Sequence, residues 1–347
     1  MINLNNPQEI LERDRHGMGQ SLIGLIQSFR QTYATSRAAT TPGRTKPQVV
    51  VFAGDPVSNL SAAILSDTLA TAPGIHIQHV PLSYAATTPS DGSLTIRTIL
   101  TPDVNTSPTP IGPTDRSNTN VVTITSLPGM ACHGVTRGDN YLVLPSGKSL
   151  GETLGIAVFA ILGLLEARGV IPPQLYAVET TLQALEAQGE SLRPESVAAK
   201  NPAKRYAGQC MDRLPIFLSS PESESVAQIW KIHFQLYARQ FACVEALPAA
   251  LHTFAAGFEH PAAIWRNTVV IALRLAQNDV VTRSGFDAMA QAMLVGGLNQ
   301  DSVTGRGPHV LGHQLSLLLF GLWLAYYAAV LNEVDPSSLG TSDEMDA

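Results

Sequence analysis

The sequence predicts an α/β protein built from two parallel-sheet halves, and three observations carry that prediction. Twice the chain runs an apolar segment into a Gly/Pro/Ser turn and then into helical spacing: "KPQVVVFAGDPVSNLSAAILSDTLA" from Lys46 and "RLPIFLSSPESESVAQIWKIHFQLYARQ" from Arg213. Further apolar strands follow each unit, and strands alternating with helices imply a parallel sheet covered on both faces. The length of 347 residues exceeds the usual single domain and fits two domains of about 150 residues.

Residues 1–37 form an N-terminal helical segment, because Ile10, Leu11, Met18, Leu22, Leu25, Ile26 and Phe29 recur at spacings of three and four. The first domain spans 38–170. Its opening strand feeds a helix that Asp55 or Ser58 can cap, and "GIHIQHVPL" supplies a second strand. From Ala85 to Asn120 the chain is rich in Thr, Pro, Ser and Asp, with one short β-branched run, "LTIRTIL", and reads as a long loop or a poorly ordered insertion. The rhythm resumes with "NVVTITS", "NYLVLP" and the apolar helix "LGETLGIAVFAILGLLEARG", closed by Gly169.

Residues 171–199 read as a helical connection and 200–300 as the second domain. There "RLPIFLSS" is a strand and the following helix, opened by acidic residues, runs to near Gln240. "FACVEAL" and "NTVVIALRL" are strands, and Phe286–Leu294 is a short helix. A C-terminal helix occupies 301–334, and 335–347 form an acidic tail with Asp343, Glu344 and Asp346.

Charged residues make up 14% of the chain and apolar ones 45%, against about 25% charged in typical domains. That balance implies extensive buried surface, including a subunit interface, and a homodimer is expected. A net charge of −6 with scattered Lys and Arg offers no basic stripe for nucleic-acid phosphates. The N-terminus lacks a basic region followed by an apolar core. Cys132, Cys210 and Cys243 have no CxxC spacing and fit reduced thiols in a cytoplasmic protein. "LSLLLFGLWLAYYAAVL", Leu315–Leu331, is uncharged but at the short end of the ~17–25 residues a bilayer needs, so a buried helix, partly against a partner chain, is expected rather than a membrane span.

Walker, nucleophile-elbow and dinucleotide motifs are absent, so no cofactor is expected; "GMGQS" at Gly17–Ser21 lacks a preceding strand. His309 and His313 stand four apart, a spacing that places both on one helix face and suits a metal only with a third ligand. Gly312 weakens that helix, so capping or solvent-facing histidines are the simpler reading and no metal is assigned. His233 reads as a packed or interface histidine.

With both halves placed, the chain resembles the double sugar-isomerase (SIS) architecture of the bacterial and archaeal bifunctional phosphoglucose/phosphomannose isomerases. The anchors are "LPIFLSSPESESVAQIWKIHF", "LPAALH" and "LLLFGLWLAYYAAVLNEVDPSS". The resemblance implies two SIS-type domains, with N- and C-terminal helices packed across them, and aldose–ketose isomerisation of a sugar phosphate. Such chemistry needs a carboxylate base, a cation, and hydroxyl or backbone donors for the phosphate. Laid over the family's W-K-x-x-x-N-E-N-A-K, this chain has Gln235 for the Asn, Leu236 for the Glu and Arg239 for the Lys. The family's arginine falls on Gly151, with Lys148 offset from it, and the basic residue beyond V-D-P is absent. "AGDPVSN" replaces a glycine-rich turn, where Asp55 would repel a phosphate.

His252 keeps its place, either as a retained acid/base or as a core or interface histidine. Ser219, Ser220 and Ser223 present hydroxyls beside Glu222 and Glu224, as an anion site or as ordinary capping. The expected substrate-binding set is thus Ser219, Ser220, Ser223, Gln235, Arg239 and Ser58, with His252 catalytic, and Gln235, Leu236, Arg239, His252 and the Ser219–Ser220 turn are expected to line one cleft. The leading expectation is a sugar-phosphate-binding or regulatory protein with lost or weak isomerase activity. The alternative is an active isomerase whose base has moved to Glu245, Glu259 or Glu152.

Overall fold

The computed structural model describes residues 2–38, 47–70, 74–81, 93–100, 121–127, 140–258 and 260–337. Residues 101–120, Cys132, Glu259 and the acidic residues Asp343, Glu344 and Asp346 lie outside them. The chain divides into two compact units, Gln27–Glu179 and Met1–Ile26 with Thr180–Ala347. Three helices open it: α1 (Pro7–Arg13), α2 (Met18–Ile23) and α3 (Leu25–Ala38). The first two belong to the second unit.

The first unit holds a five-stranded parallel sheet in the order β2-β1-β3-β4-β5, formed by β1 (Val49–Gly54), β2 (His76–Pro81), β3 (Ser93–Ile99), β4 (Val121–Thr125) and β5 (Asn140–Val143). β3 corrects the loop expected over 85–120: "SLTIRTI" is a central strand, buried at every position. Its β-branched Thr95, Ile96, Thr98 and Ile99 suit a sheet with two covered faces, but proline- and serine-rich flanks mask it in the sequence. α4 (Leu60–Ala70) packs against α5 (Leu150–Ala167), where the Ser61 hydroxyl donates to the Leu154 carbonyl at 2.9 Å. α3 lies on α5 through the stacked rings of Phe29 and Phe159 and through Gly163, whose missing Cβ makes room for the backbone of Tyr33 and Arg37. Glu166 closes this contact by accepting from Tyr33, Arg37 and the Gln174 amide.

After α6 (Leu175–Leu192) and α7 (Pro202–Cys210), the second sheet takes the order β7-β6-β8-β9, again parallel, with the same 2-1-3-4 sequence as the first four strands of the other unit. β6 is Leu214–Ser219, β7 Cys243–Ala246, β8 Thr268–Leu275 and β9 Asn299–Gly305. The intervening helices are α8 (Pro221–Leu236), α9 (Thr253–Ala256), α10 (Ala262–Arg266) and α11 (Val280–Val295), and α12 (Val310–Leu331) closes the unit. Three boundaries differ from expectation. α8 stops at Leu236, α11 starts six residues earlier than the helix expected at Phe286, and β9 takes residues divided between the second domain and the C-terminal helix. β9 reads "NQDSVTG", too polar for a hydrophobic pattern to reveal, because it is an edge strand with most side chains in water.

Among the described residues, α5 and α12 are long and apolar enough to cross a membrane, yet 89% and 94% of those spans are buried inside the protein. α12 lies against α7 and α8, and from Leu311 to Val330 its side chains are buried in this single chain. The partner chain expected over Leu315–Leu331 is therefore not needed to cover it. The N-terminal segment is tied to the same unit by two buried groups. The Asp14 carboxylate accepts from the Met18 and Gly19 amides at 2.7 and 2.8 Å and from the Tyr326 hydroxyl at 3.2 Å. The Lys204 ammonium donates to the carbonyls of Leu4, Pro194 and Ser196 at 2.6–2.8 Å, and burial pulls its pKa down to about 8.

Candidate functional site

In open parallel sheets, ligands sit outside the carboxyl ends of the strands where the strand order reverses. In the second unit that point lies between β6 and β8. β6 ends at Ser219, and Ser220 turns the chain into α8 with extended backbone. Ser219, Ser220 and Ser223 are all fully buried. The Ser219 hydroxyl donates to the Glu245 carbonyl at 3.3 Å, and the Ser223 hydroxyl donates to the Leu273 carbonyl at 3.0 Å while accepting from the Ser220 amide at 3.0 Å. The Asn278 amide donates to the Ser220 hydroxyl at 3.4 Å, and its carbonyl oxygen accepts from the Leu275 amide at 2.7 Å. Gln314 donates to the Glu222 carbonyl at 2.5 Å. The structure thus brings the three serines together at the switch point, but spends their hydroxyls on joining the β6 turn to the ends of β7 and β8.

The remaining second-domain residues separate. His252 follows the 3₁₀ turn Ala249–Leu251 just beyond β7, exposed, at the carboxyl edge of the sheet. Gln235 and Leu236 end α8, which starts at that edge and runs 16 residues away from it, a travel of about 24 Å at 1.5 Å per residue. Within one copy of this unit the two groups therefore stand about a helix length apart. Gln235 donates to the Ala242 carbonyl at 3.2 Å, holding the loop that returns to β7. Arg239 lies beyond the helix with a left-handed φ of 49°, so it is no longer in helical register with Leu236. A non-glycine residue in that conformation leaves no sequence signal for the early stop.

In the first unit the switch point lies between β1 and β3. Asp55 follows β1, and its carboxylate accepts from the Val57 and Ser58 amides at 2.9 and 3.0 Å. The Ser58 hydroxyl donates to the same carboxylate and accepts from the Leu100 amide at 3.1 Å. The amides that an anion would use at this turn already hold a carboxylate. Asn59 and Thr98, which the sequence reading passed over, crowd Gly54 so closely that no Cβ fits there. Their Asn59 Oδ1 and Thr98 Oγ1 atoms are buried without a hydrogen-bond partner. Thr98 could be found only by recognising β3 as a strand.

Glu152 caps α5: its carboxylate accepts from the Ser149 amide at 3.0 Å and pairs with Lys148 at 3.6 Å. Gly151 is buried in the same first turn. Glu245, on β7, is half-buried, and desolvation raises its pKa. His309 is the N-cap of α12 with extended backbone, so it does not share a helix face with His313. It contacts the Thr181 hydroxyl at 3.3 Å, and the buried His313 donates from Nε2 to the Gly307 carbonyl at 2.8 Å. Buried His233 packs against Tyr237, their rings tilted at 44° with centroids 4.6 Å apart. Among the described residues no group of three or more His, Cys, Asp or Glu is arranged to hold a metal.

Two units of this strand order and helix layering define the SIS class of α/β proteins. Over 99% of its length the chain superposes on all of a glucose-6-phosphate isomerase like protein from Thermus thermophilus, with a TM-score of 0.65 at 20% identity. The C-terminal domain of glucosamine-fructose-6-phosphate aminotransferase from Francisella tularensis gives a TM-score of 0.62 at 12% identity, covering 91% of this chain and 96% of that one. Within that class, residues 199–345 match the bacterial phospho-glucose isomerase C-terminal SIS domain. A bifunctional phosphoglucose/phosphomannose isomerase from Caldicellulosiruptor bescii is 25% identical over 209 residues, 59% of this chain and 61% of that relative, so the match spans about three fifths of its length. The fold is that of the SIS proteins, and the second unit resembles the C-terminal SIS domain of the bacterial phosphoglucose isomerases.

Proposed function

We propose that this chain is a cytoplasmic, homodimeric SIS protein that binds a sugar phosphate or related carbohydrate derivative in a regulatory role, without isomerising it at an appreciable rate. The observation that carries the reading is Leu236 at the end of α8, where the resemblance places the glutamate base. A leucine cannot take the C2 proton, and general acid–base catalysis is worth about 10²–10⁴-fold. The self-satisfied serines of the β6 turn and the Asp55 carboxylate at the β1 turn leave fewer donors for a phosphate, so the binding is expected to be weak.

Coupled assays with fructose 6-phosphate, glucose 6-phosphate and mannose 6-phosphate, run beside calorimetric binding, test the proposal. Binding without turnover is the expected result. Clear turnover abolished by His252→Ala would overturn it in favour of the second reading, an active isomerase with a relocated base. Glu245 favours that reading: it is the carboxylate with a burial-raised pKa on the strand that leads to His252. Glu245→Gln would then abolish the rate as well.

The β1 turn yields a separate prediction. Asp55→Ser keeps a neutral capping oxygen for Val57 and Ser58 while removing the negative charge. Affinity for inorganic phosphate and for sugar phosphates, measured by calorimetry, is expected to rise about tenfold, corresponding to ~1.4 kcal/mol. An unchanged or lower affinity would mean that ligand binds away from this turn.

A further inference from the structure

The serines of the β6 turn use their hydroxyls on the sheet itself, but Arg274 brings to the same edge a donor that has no acceptor. It is the second-last residue of β8, between Leu273, whose carbonyl accepts from Ser223, and Asn278, which donates to Ser220. It therefore stands at the switch point of the second sheet. Along β8 it alternates onto the face of Val270 and Ala272, which α11 covers with Phe286, Met289 and Met293. There its guanidinium lies over the Phe286 ring, with Cζ 5.0 Å from the ring centroid, and the stacking fixes its plane.

A guanidinium presents Nε–H and one Nη–H in parallel along one edge, a fork that fits two oxygens of a carboxylate or phosphate. Here the fork is half used. Nη2 donates to Asp287 Oδ1 at 2.9 Å, while Nε is buried without an acceptor. A buried N–H in that state is unfavourable, so an oxyanion that takes both prongs fits this edge better than Asp287 does. Asp287 can be displaced, because its side chain is 70% exposed and an ion pair so open to water is worth little. Arg283, exposed one turn earlier on α11, adds a second cation beside Asp287. Asp279, a further turn back, is occupied in capping α11, accepting from the Thr282 amide at 2.7 Å. A Cβ on Gly285 would lie 3.3 Å from Leu247 and 3.8 Å from Leu251, so the turn that ends at His252 meets the same stretch of α11.

We propose that Arg274 is an oxyanion site of the second unit, where a phosphate group displaces Asp287 and takes both prongs of the fork. Asp287 is then a competitor built into the site, which keeps affinity low in the native chain. The choice of phosphate rests on the sugar-phosphate reading above, and separate outcomes decide the two.

Calorimetry with inorganic phosphate and fructose 6-phosphate tests the site. Asp287→Asn keeps the size of the side chain but removes its charge, and should tighten phosphate binding about tenfold. Arg274→Gln should weaken binding at least about tenfold, since hydrogen bonds to a charged group are lost. The double variant should show none of the gain, and because the gain is read in a folded protein, a folding defect cannot imitate it. Fructose 6-phosphate responding to both substitutions identifies the sugar phosphate as the source of the bound group; inorganic phosphate responding alone assigns the site to free phosphate. An Asp287→Asn chain that binds phosphate no better than the native one, or a gain that persists with Arg274→Gln, overturns the Arg274 site. Phosphate behaving as expected while no sugar phosphate binds any variant leaves the site standing and overturns the sugar-phosphate reading.

Discussion

Gly321→Ala is expected to destabilise the second unit by about 3 kcal/mol or more, at the upper end of over-packing effects. Gly321 lies in the middle of α12, and a Cβ there would overlap the indole of Trp230 on α8. Trp230 cannot yield. It is fully buried, packs edge-on to Phe217 and stacks with Phe320 at centroid distances of 5.3 and 5.7 Å, and donates its indole N–H to the Leu317 carbonyl at 2.9 Å. For a unit of this size the melting temperature should fall by roughly 6–12 °C. The decisive measurement is the double mutant: with Trp230→Leu the obstruction is gone, so Gly321→Ala should cost far less in that background than alone. Equal costs in both backgrounds would show that the glycine serves something other than the α8–α12 contact.

That glycine marks the limit of what the sequence reveals. The β1–α4 and β6–α8 units were legible because an aliphatic strand, a turn residue and helical spacing agree at each. β9 was not, because an edge strand can be polar, and β3 was hidden by its flanks. The serines at Ser219–Ser223 were correctly placed at the end of a strand, yet their role depends on Asn278, Leu273 and Glu245, which only the folded sheet brings to them. Within one copy, Gln235, Leu236 and Arg239 stand apart from His252 for a geometric reason. Residues close in sequence across a helix–strand connection can be a full helix length apart, because a parallel crossover carries the chain from one edge of the sheet to the other.

The same helix supplies the strongest pH dependence expected of the molecule. His233 is fully buried in α8, and desolvation pulls its pKa down to about 3, from about 6.5 in the unfolded chain. The folded state therefore holds a neutral imidazole where the unfolded chain takes up a proton. Its contribution to stability is complete above pH ~6.5 and is lost as the pH falls from there toward 3, by a few kcal/mol in all. His233→Phe keeps the volume and the contact with Tyr237 but cannot be protonated. Denaturant unfolding of this variant should show a stability that declines less between pH 7 and pH 4 than that of the native chain, whatever its value at pH 7. Trp230→Phe, which alters packing in the same helix without a titrating group, should shift stability equally at both pH values. Parallel pH profiles for the native chain and His233→Phe would show that protons enter at other sites and that His233 is a packing residue alone.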